Sequence, residues 1–231
     1  MRKSKLYKAQ LEKADLNCFY SIADALQILK EMPAPKFDQT VEVAFRLGID
    51  PRKSDQTVRG AVPLPKGTGK KVTVCVIASG AQADEATAAG ADFVGMEDMI
   101  EKIKGGWLDF DVLIATPDAM KQVRPLGRQL GPRGLMPNPK TGTVTNETGK
   151  AVAEAKAGRV EFRAEQKGAC VNVPIGKVSF STEDLVENFM AVFHAVNAAK
   201  PAVAKGTYMQ TCSVSATMTP GLKVSLKELE K

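Results

Sequence analysis

The stretch KVTVCVIA, residues 71–78, decides the fold. From Val74 to Ala78 it is apolar without interruption, and it is rich in valine, which favours the extended conformation. A strand with one face in water would alternate apolar and polar residues. A continuous apolar run of this length is instead typical of a strand in a parallel sheet that is buried on both faces. The stretch therefore predicts a strand between two layers of helices.

The residues that follow repeat this theme. An alanine-rich helix is expected at 82–89, a short strand at 91–94, a helix at 97–104 and a second buried strand at 111–115. Pro117 is expected to open a third helix. Alternating strands and helices indicate a small parallel α/β sheet with right-handed crossovers, which is a Rossmann-like arrangement.

Outside this region the strands alternate. QTVEVAFRL (39–47) places Val41, Val43, Phe45 and Leu47 on one face, as in a half-buried strand. Further strands are expected at 58–65, at 159–164 and 169–176 (joined by a turn at 165–168), and at 206–226, with a break at 219–221. Helices are expected at 4–13, 21–31 and 181–197, the last two with serine caps at Ser21 and Ser181.

The predicted fold class is α/β with two domains. Residues 1–67 and 159–231 form a split terminal α+β domain of two layers, with an antiparallel-type sheet and helices. Residues 68–158 form the inserted Rossmann-like domain. Glycines at both junctions are typical of a two-stranded hinge. KGTGKK (66–71) fits such a hinge better than a phosphate loop, because Leu64 and Lys71 break the phosphate-loop pattern.

The composition is that of an ordinary globular protein, with 44% hydrophobic and 25% charged residues and a net charge of +6. A polyanionic partner is compatible with this charge but not required by it. The four cysteines lie far apart in the sequence, which favours buried, inert thiols over disulfides or zinc ligands. We expect no signal peptide and no membrane span, and a cytoplasmic or organellar location.

The longest irregular stretch is GRQLGPRGLMPNPKTGTVT, residues 127–145. It combines glycines and prolines with Arg128, Arg133 and Lys140, and it contains no acid. We expect no regular helix or strand to run through it. A basic loop with exposed backbone amides suits contact with phosphates, whereas a flexible surface connection is the alternative.

No set of residues indicates catalysis. His194 is the only histidine, and no nucleophile or paired carboxylate is placed to work with it. We predict no enzyme activity, no metal and no cofactor. Lys36 and Phe37 precede a strand, where they could meet phosphate and base, although such an aromatic is more often a core anchor. Residues 217–220 at a strand corner could read RNA 2′-hydroxyl groups or form a plain turn.

Several of these stretches resemble the ribosomal protein L-one family of the large-subunit side stalk. The resemblance rests on GRxLGPRGLMPNPKxGTVT in 127–145, KFDQTVEV (36–43), LGIDPRKSDQTVRG (47–60), AGADFVG (89–95) and KPAVAKGTY (200–208). It covers nearly the whole chain, and the matching motifs are long.

The resemblance implies a structural protein that binds large-subunit ribosomal RNA at the mobile side stalk. It implies assistance in releasing deacylated transfer RNA from the exit site, repression of the protein's own messenger RNA, and a monomeric free protein. The implied RNA-binding residues lie together on the terminal domain: Lys36, Phe37, Thr40, Glu42, Lys167, Gly168, Thr217, Met218, Thr219 and Pro220. Thr219 stands where the family usually has glycine, so the added Cβ affects how closely RNA approaches.

The implied secondary RNA contacts come from the insert, at Arg128, Arg133 and Lys140. Two other functions remain open at this point. A nucleotide-binding enzyme could use the α/β insert, but the glycine fingerprint and the ribose-binding acid are missing. A scaffold that binds only proteins would show no salt-dependent affinity for RNA.

Overall fold

The computed structural model describes residues 4–226 and contains ten strands within that range. Their bounds are β1 Phe19–Tyr20, β2 Thr40–Leu47, β3 Arg59–Pro63, β4 Val74–Ile77, β5 Phe93–Gly95, β6 Val112–Ala115, β7 Arg159–Arg163, β8 Cys170–Lys177, β9 Met209–Ala216 and β10 Leu222–Val224. The α-helices of the same range are α1 Lys5–Leu11, α2 Ile22–Glu31, α3 Ala81–Ala88, α4 Glu97–Lys104, α5 Met120–Val123, α6 Gly127–Leu130, α7 Thr148–Ala157 and α8 Thr182–Ala198. The molecule is thus a mixed α/β protein with several sheets.

The described chain divides into two units. Residues up to Gly69 and from Val160 onward form the terminal unit, and Lys70–Arg159 form the inserted unit.

The terminal unit is built on a five-stranded sheet in the order β1-β10-β9-β2-β8. All neighbours in it are antiparallel except β1 and β10. The predicted alternation of β2 is confirmed, because Val41, Val43, Phe45 and Leu47 are all buried. They pack against α2 and α8, and the ring of Phe45 lies 6.1 Å from that of Phe189 on α8. Helices therefore cover one face of this sheet.

Both predicted caps of these helices are present. The Ser21 hydroxyl accepts the backbone N–H of Asp24, and the Ser181 hydroxyl accepts that of Asp184. A serine oxygen in this position satisfies an N–H group that has no partner within the helix. The caps fix where α2 and α8 begin and hence which face each helix turns to the sheet.

The inserted unit has a three-stranded parallel sheet in the order β5-β4-β6. Every residue of β4 is buried, as the continuous apolar run predicted. On one face Cys75 and Ile77 pack with α4, α5 and α6, and on the other face Val74 and Val76 pack with α3 and α7. The central strand is therefore enclosed by two helical layers.

Some sequence-based expectations were wrong. The third helix of the insert begins at Met120 rather than Pro117 and has only four residues. The stretch 127–145 is not free of helix, because α6 forms its first turn and two 3-10 turns follow at Gly131–Arg133 and Pro139–Thr141. The short helical turns bury Leu126 and Leu130 against β6, which the local Gly and Pro content does not reveal.

Helix α7 was not anticipated from the sequence. It is alanine-rich, and its buried residues Ala151, Val152 and Ala155 give only a weak apolar stripe. Gly158 ends the helix in the left-handed conformation (φ 102°), as a C-terminal glycine often does. This glycine fits the predicted hinge, and it is also the signal that could have located the helix.

The expected turn between β7 and β8 is present at 166–168, but the two strands do not pair with each other. β7 pairs with β3 in a separate two-stranded sheet, whereas β8 pairs with β2. Between them Ala169 adopts φ 52°, the left-handed region that non-glycine residues rarely enter. This residue lies where the chain leaves one sheet for the other.

Candidate nucleic-acid interface

The uncovered face of the five-stranded sheet presents small and polar side chains to solvent. Strand pairing aligns them in rows across the three central strands. They are Thr40, Glu42, Ala44 and Arg46 on β2, Asn172 and Pro174 on β8, and Thr211, Ser213 and Ser215 on β9. A face of this kind is shallow and rich in hydrogen-bonding groups, without the large apolar area of a protein–protein core.

One corner of this face collects most of the predicted site. We call it the corner patch: residues 36–42 with 217–219. Here β2 begins and β9 ends, and three hydrogen bonds join Thr40 to Thr217, one of them from the Thr217 hydroxyl to the Thr40 carbonyl at 3.4 Å. The Thr217 N–H donates to the Thr40 carbonyl (3.2 Å), and the Thr40 N–H donates to the Thr217 hydroxyl oxygen (3.2 Å).

Two large apolar side chains of the corner patch, Phe37 and Met218, are exposed to solvent. Phe37 is 52% exposed and Met218 is 51% exposed. The Met218 backbone N–H donates to the Gln39 side-chain oxygen at 2.9 Å. The side chain of Gln39 is itself buried, so the main chain of the corner is held in place from beneath. The alternative that Phe37 anchors the core is therefore wrong.

Other supporting residues were not identified from the sequence. The Lys177 ammonium donates to the Thr40 hydroxyl (2.8 Å). Ser179 donates from both its hydroxyl (2.8 Å) and its N–H (3.2 Å) to the Asp38 carboxylate. The pairing of Thr40 with Lys177 across β2 and β8 places these groups together, and no local pattern in the sequence reports such a pairing.

Thr219 and Pro220 are placed differently from their neighbours. The Thr219 hydroxyl accepts the Ala216 N–H (2.8 Å) and donates to the Ala216 carbonyl (3.3 Å), which closes the turn. Pro220 is buried. The two residues therefore shape the corner patch from within, whereas Lys36, Phe37, Glu42 and Met218 are exposed at its surface.

The structure does not bring Lys167 and Gly168 to the corner patch. Thr40 pairs with Lys177 at one end of the β2–β8 ladder, and Arg46 pairs with Cys170 at the other. Six residues of extended strand separate these ends by about 20 Å. Lys167 and Gly168 instead line a groove of 560 Å³ at the far end of β2. The predicted site is thus divided between two ends of one sheet.

The three predicted cations of the inserted unit are all exposed. The Arg133 guanidinium donates to the Leu108 carbonyl at 3.4 Å. Within residues 4–226, none of Arg128, Arg133 and Lys140 forms an ion pair with a carboxylate. Their charge is therefore available to an anion.

Two of the four thiols are buried and two are accessible to solvent. Burial raises the pKa of Cys75 and that of Cys212 to about 12, so both are protonated and inert at neutral pH. The expectation of burial was wrong for the other two, because Cys18 is exposed and Cys170 is partly exposed. A hydrogen bond to the Asp15 carboxylate raises the pKa of the Cys18 thiol as well.

No catalytic centre emerges from the described residues. His194 is exposed on α8, where its ring lies edge-on to Phe193. Over residues 4–226 there is no group of three histidine, cysteine or acidic side chains placed to hold a metal ion. In the same range no helix is long and apolar enough to cross a membrane.

A comparison with protein families bears on the same question. Residues 29–220 match the model of the ribosomal protein L1p/L10e family. This segment holds most of the chain, including the corner patch, the groove and the whole inserted unit. Members of the family are structural RNA-binding proteins of the large ribosomal subunit, and the family is not an enzyme family, so the match does not favour the alternative of a nucleotide-binding enzyme. The chain belongs to the ribosomal protein L1p/L10e family.

Proposed function

We propose that the terminal unit is the RNA-binding domain and that it binds large-subunit ribosomal RNA at the mobile side stalk. The single observation that carries the proposal is the corner patch. Two large apolar side chains are exposed there on a main chain that is fixed by hydrogen bonds. A rigid platform of this kind binds without first being ordered, which lowers the cost of association.

The groups of the corner patch match the chemistry of folded RNA. Phe37 and Met218 offer apolar surface to an unstacked base or a ribose. The Thr40 hydroxyl accepts from Lys177 and keeps its own O–H for donation. The Thr217 hydroxyl already donates to the Thr40 carbonyl and keeps an acceptor position for a ribose 2′-hydroxyl. Glu42 on the open face accepts from a ribose hydroxyl group or from a base N–H group.

Further contacts extend this interface. Lys36 is exposed beside Phe37 and suits a backbone phosphate. Lys167 and Gly168 contact the same RNA at the far end of β2, and Thr219 and Pro220 act by shaping the corner turn. Arg128, Arg133 and Lys140 of the inserted unit add secondary phosphate contacts, which their unpaired charge supports.

We also propose the finer roles that the family resemblance implies. The protein assists the release of deacylated transfer RNA from the exit site, and excess free protein represses translation of its own messenger RNA. Because the same corner patch binds ribosomal and messenger RNA, one protein molecule cannot bind both at once. Repression therefore begins when the ribosomal sites are filled. The free protein is a monomer and acts on cytoplasmic or organellar ribosomes.

The test is binding of the purified protein to a set of large-subunit RNA fragments at several salt concentrations. We expect one fragment, from the side stalk, to bind far more tightly than the rest, with affinity that falls as salt rises. Equal and weak binding to every fragment would contradict the proposal.

The same protein tests repression in a translation extract. Synthesis of a reporter that carries the protein's own leader should fall as free protein is added, and added stalk fragment should restore it. A synthesis rate that does not respond to added protein would remove the regulatory role. For the exit site, ribosomes depleted of the protein should release deacylated transfer RNA more slowly than ribosomes to which it is restored.

A further inference from the structure

A groove of 560 Å³ lies at the end of β2 that is remote from the corner patch. Its walls come from three separate stretches of the terminal unit: the end of β2 with residues 48–52, the turn that holds Lys167 and Gly168, and residues 205–210. Of the residues that line it, only Lys167 and Gly168 are among the RNA-binding residues that the family resemblance implies.

The charge of the groove is strongly one-sided. Arg46, Arg52, Lys167 and Lys205 line it and are all exposed. None of the four forms an ion pair within residues 4–226. Asp50 is the one acid of the lining, and its carboxylate already accepts the Arg52 backbone N–H at 3.2 Å. Four like charges around one concavity repel each other, and a bound anion would offset that repulsion.

The walls are fixed to each other by main-chain hydrogen bonds. The Gly48 N–H donates to the Tyr208 carbonyl (2.7 Å), and the Leu47 N–H donates to the Ala169 carbonyl (2.9 Å). A side chain at Gly48 could not be accommodated, because a Cβ there would lie 2.2 Å from the Thr207 carbonyl oxygen. The groove is therefore a preformed concavity and not a gap between mobile loops.

We infer that this groove is a second RNA site, which binds the sugar-phosphate backbone. Arg46, Arg52 and Lys205 pair with phosphates beside Lys167, and the Gln210 amide is placed to meet ribose or phosphate oxygens. The inference rests on the proposed function, since the backbone belongs to the RNA held at the corner patch about 20 Å away along β2. Two contacts at this separation fix the direction in which the RNA crosses the sheet.

The test compares the full-length protein with a triple variant, Arg46→Gln, Arg52→Gln, Lys205→Gln, on the side-stalk fragment. The matched control is Lys102→Gln, Lys104→Gln, Lys121→Gln, which removes the same charge from exposed lysines of the inserted unit. We expect the groove variant to bind about 10- to 100-fold more weakly at moderate salt. Its plot of log affinity against log salt should be shallower by about 2, because each phosphate contact contributes about 0.7–0.9 to that slope. The control should stay within about twofold of the wild type.

A second readout does not depend on the variants. In the complex, Lys167 and Lys205 should be protected from an amine-acylating reagent, as measured by mass spectrometry, while Lys102 remains reactive. The groove would not be an RNA site if the groove variant kept the wild-type affinity and salt slope. The same conclusion would follow if Lys167 and Lys205 stayed fully reactive in a complex that does form. Either result would leave the proposal for the corner patch unaffected. Failure of the wild-type protein to bind the fragment would overturn both sites together.

Discussion

At the scale of single residues, Thr219 shows how a change of residue type is accommodated. The family resemblance implies glycine at this position, and an added side chain could have blocked RNA. Its hydroxyl instead turns back to both main-chain groups of Ala216, so the side chain closes the corner turn. The position has thus gained a bond within the protein, and its φ is negative, which a threonine adopts without strain.

Thr219→Val should therefore loosen the corner, because valine has nearly the same shape but leaves the Ala216 N–H without its partner. We expect a loss of about 1 kcal/mol in unfolding free energy, with RNA affinity reduced about fivefold. Thr219→Ser keeps the hydroxyl and is the control, which should stay close to the wild type in both measurements. If valine and serine behave alike, the hydroxyl does not hold the turn.

At the scale of elements, β4 depends on two carboxylates that bind the backbone where the strand begins. The Asp92 carboxylate accepts the Val74 N–H (2.9 Å), and the Asp111 carboxylate accepts the Thr73 N–H (3.1 Å). The backbone bond from Val74 lowers the pKa of Asp92 below its ordinary value of 3.8. The Lys70 hydrogen bond, followed by that from Thr73, lowers the pKa of Asp111 in the same way.

The stability of the inserted unit should consequently depend on these carboxylates in acid. Because the folded-state pKa of Asp92 is lowered, its charged form stabilises the fold above pH 3.8, and this contribution disappears as the pH falls through the lower, folded value. Asp92→Asn should be less stable than the wild type at pH 7, and the difference should be smaller at pH 3. Trp107, the single tryptophan, lies in this unit and reports its unfolding by fluorescence. A difference that is the same at both pH values would contradict this account.

The elements also show what a sequence can reveal. The sequence predicted four elements well: β2, β4, α4 and α8. Each of them buries its own apolar residues, so the periodicity or continuity of those residues is visible in the sequence. α6, α7 and the start of α5 were not predicted well. Their positions depend on distant partners, such as the parallel bridge between Ala115 and Val144 that ties the basic stretch to β6. Asn188 is a similar case: it is fully buried on α8, and its side-chain amide forms hydrogen bonds with backbone groups of Lys66, Gly67 and Ile175.

At the scale of the whole molecule, the candidate site was predicted as one surface and is found as two regions of one sheet face. Phe37, Thr40 and Met218 are gathered by the pairing of β2 with β9, which the motifs anticipated. Lys167 and Gly168 lie at the other end of β2, because β8 runs antiparallel to it. Sequence motifs alone do not give the distance between two residues that lie at different ends of paired strands. The resulting arrangement is an extended polar face with apolar side chains at one end and cations at the other.

The measurement that tests the central claim most directly is the affinity of a Phe37→Ala, Met218→Ala variant for the side-stalk RNA fragment. The control is Val203→Ala, which truncates an equally exposed apolar side chain of the terminal unit. Stacking on an aromatic contributes about 1–3 kcal/mol per base, so we expect the double variant to bind about 100-fold more weakly. The control should bind like the wild type. A double variant that binds as tightly as the wild type would show that the RNA does not sit on the corner patch.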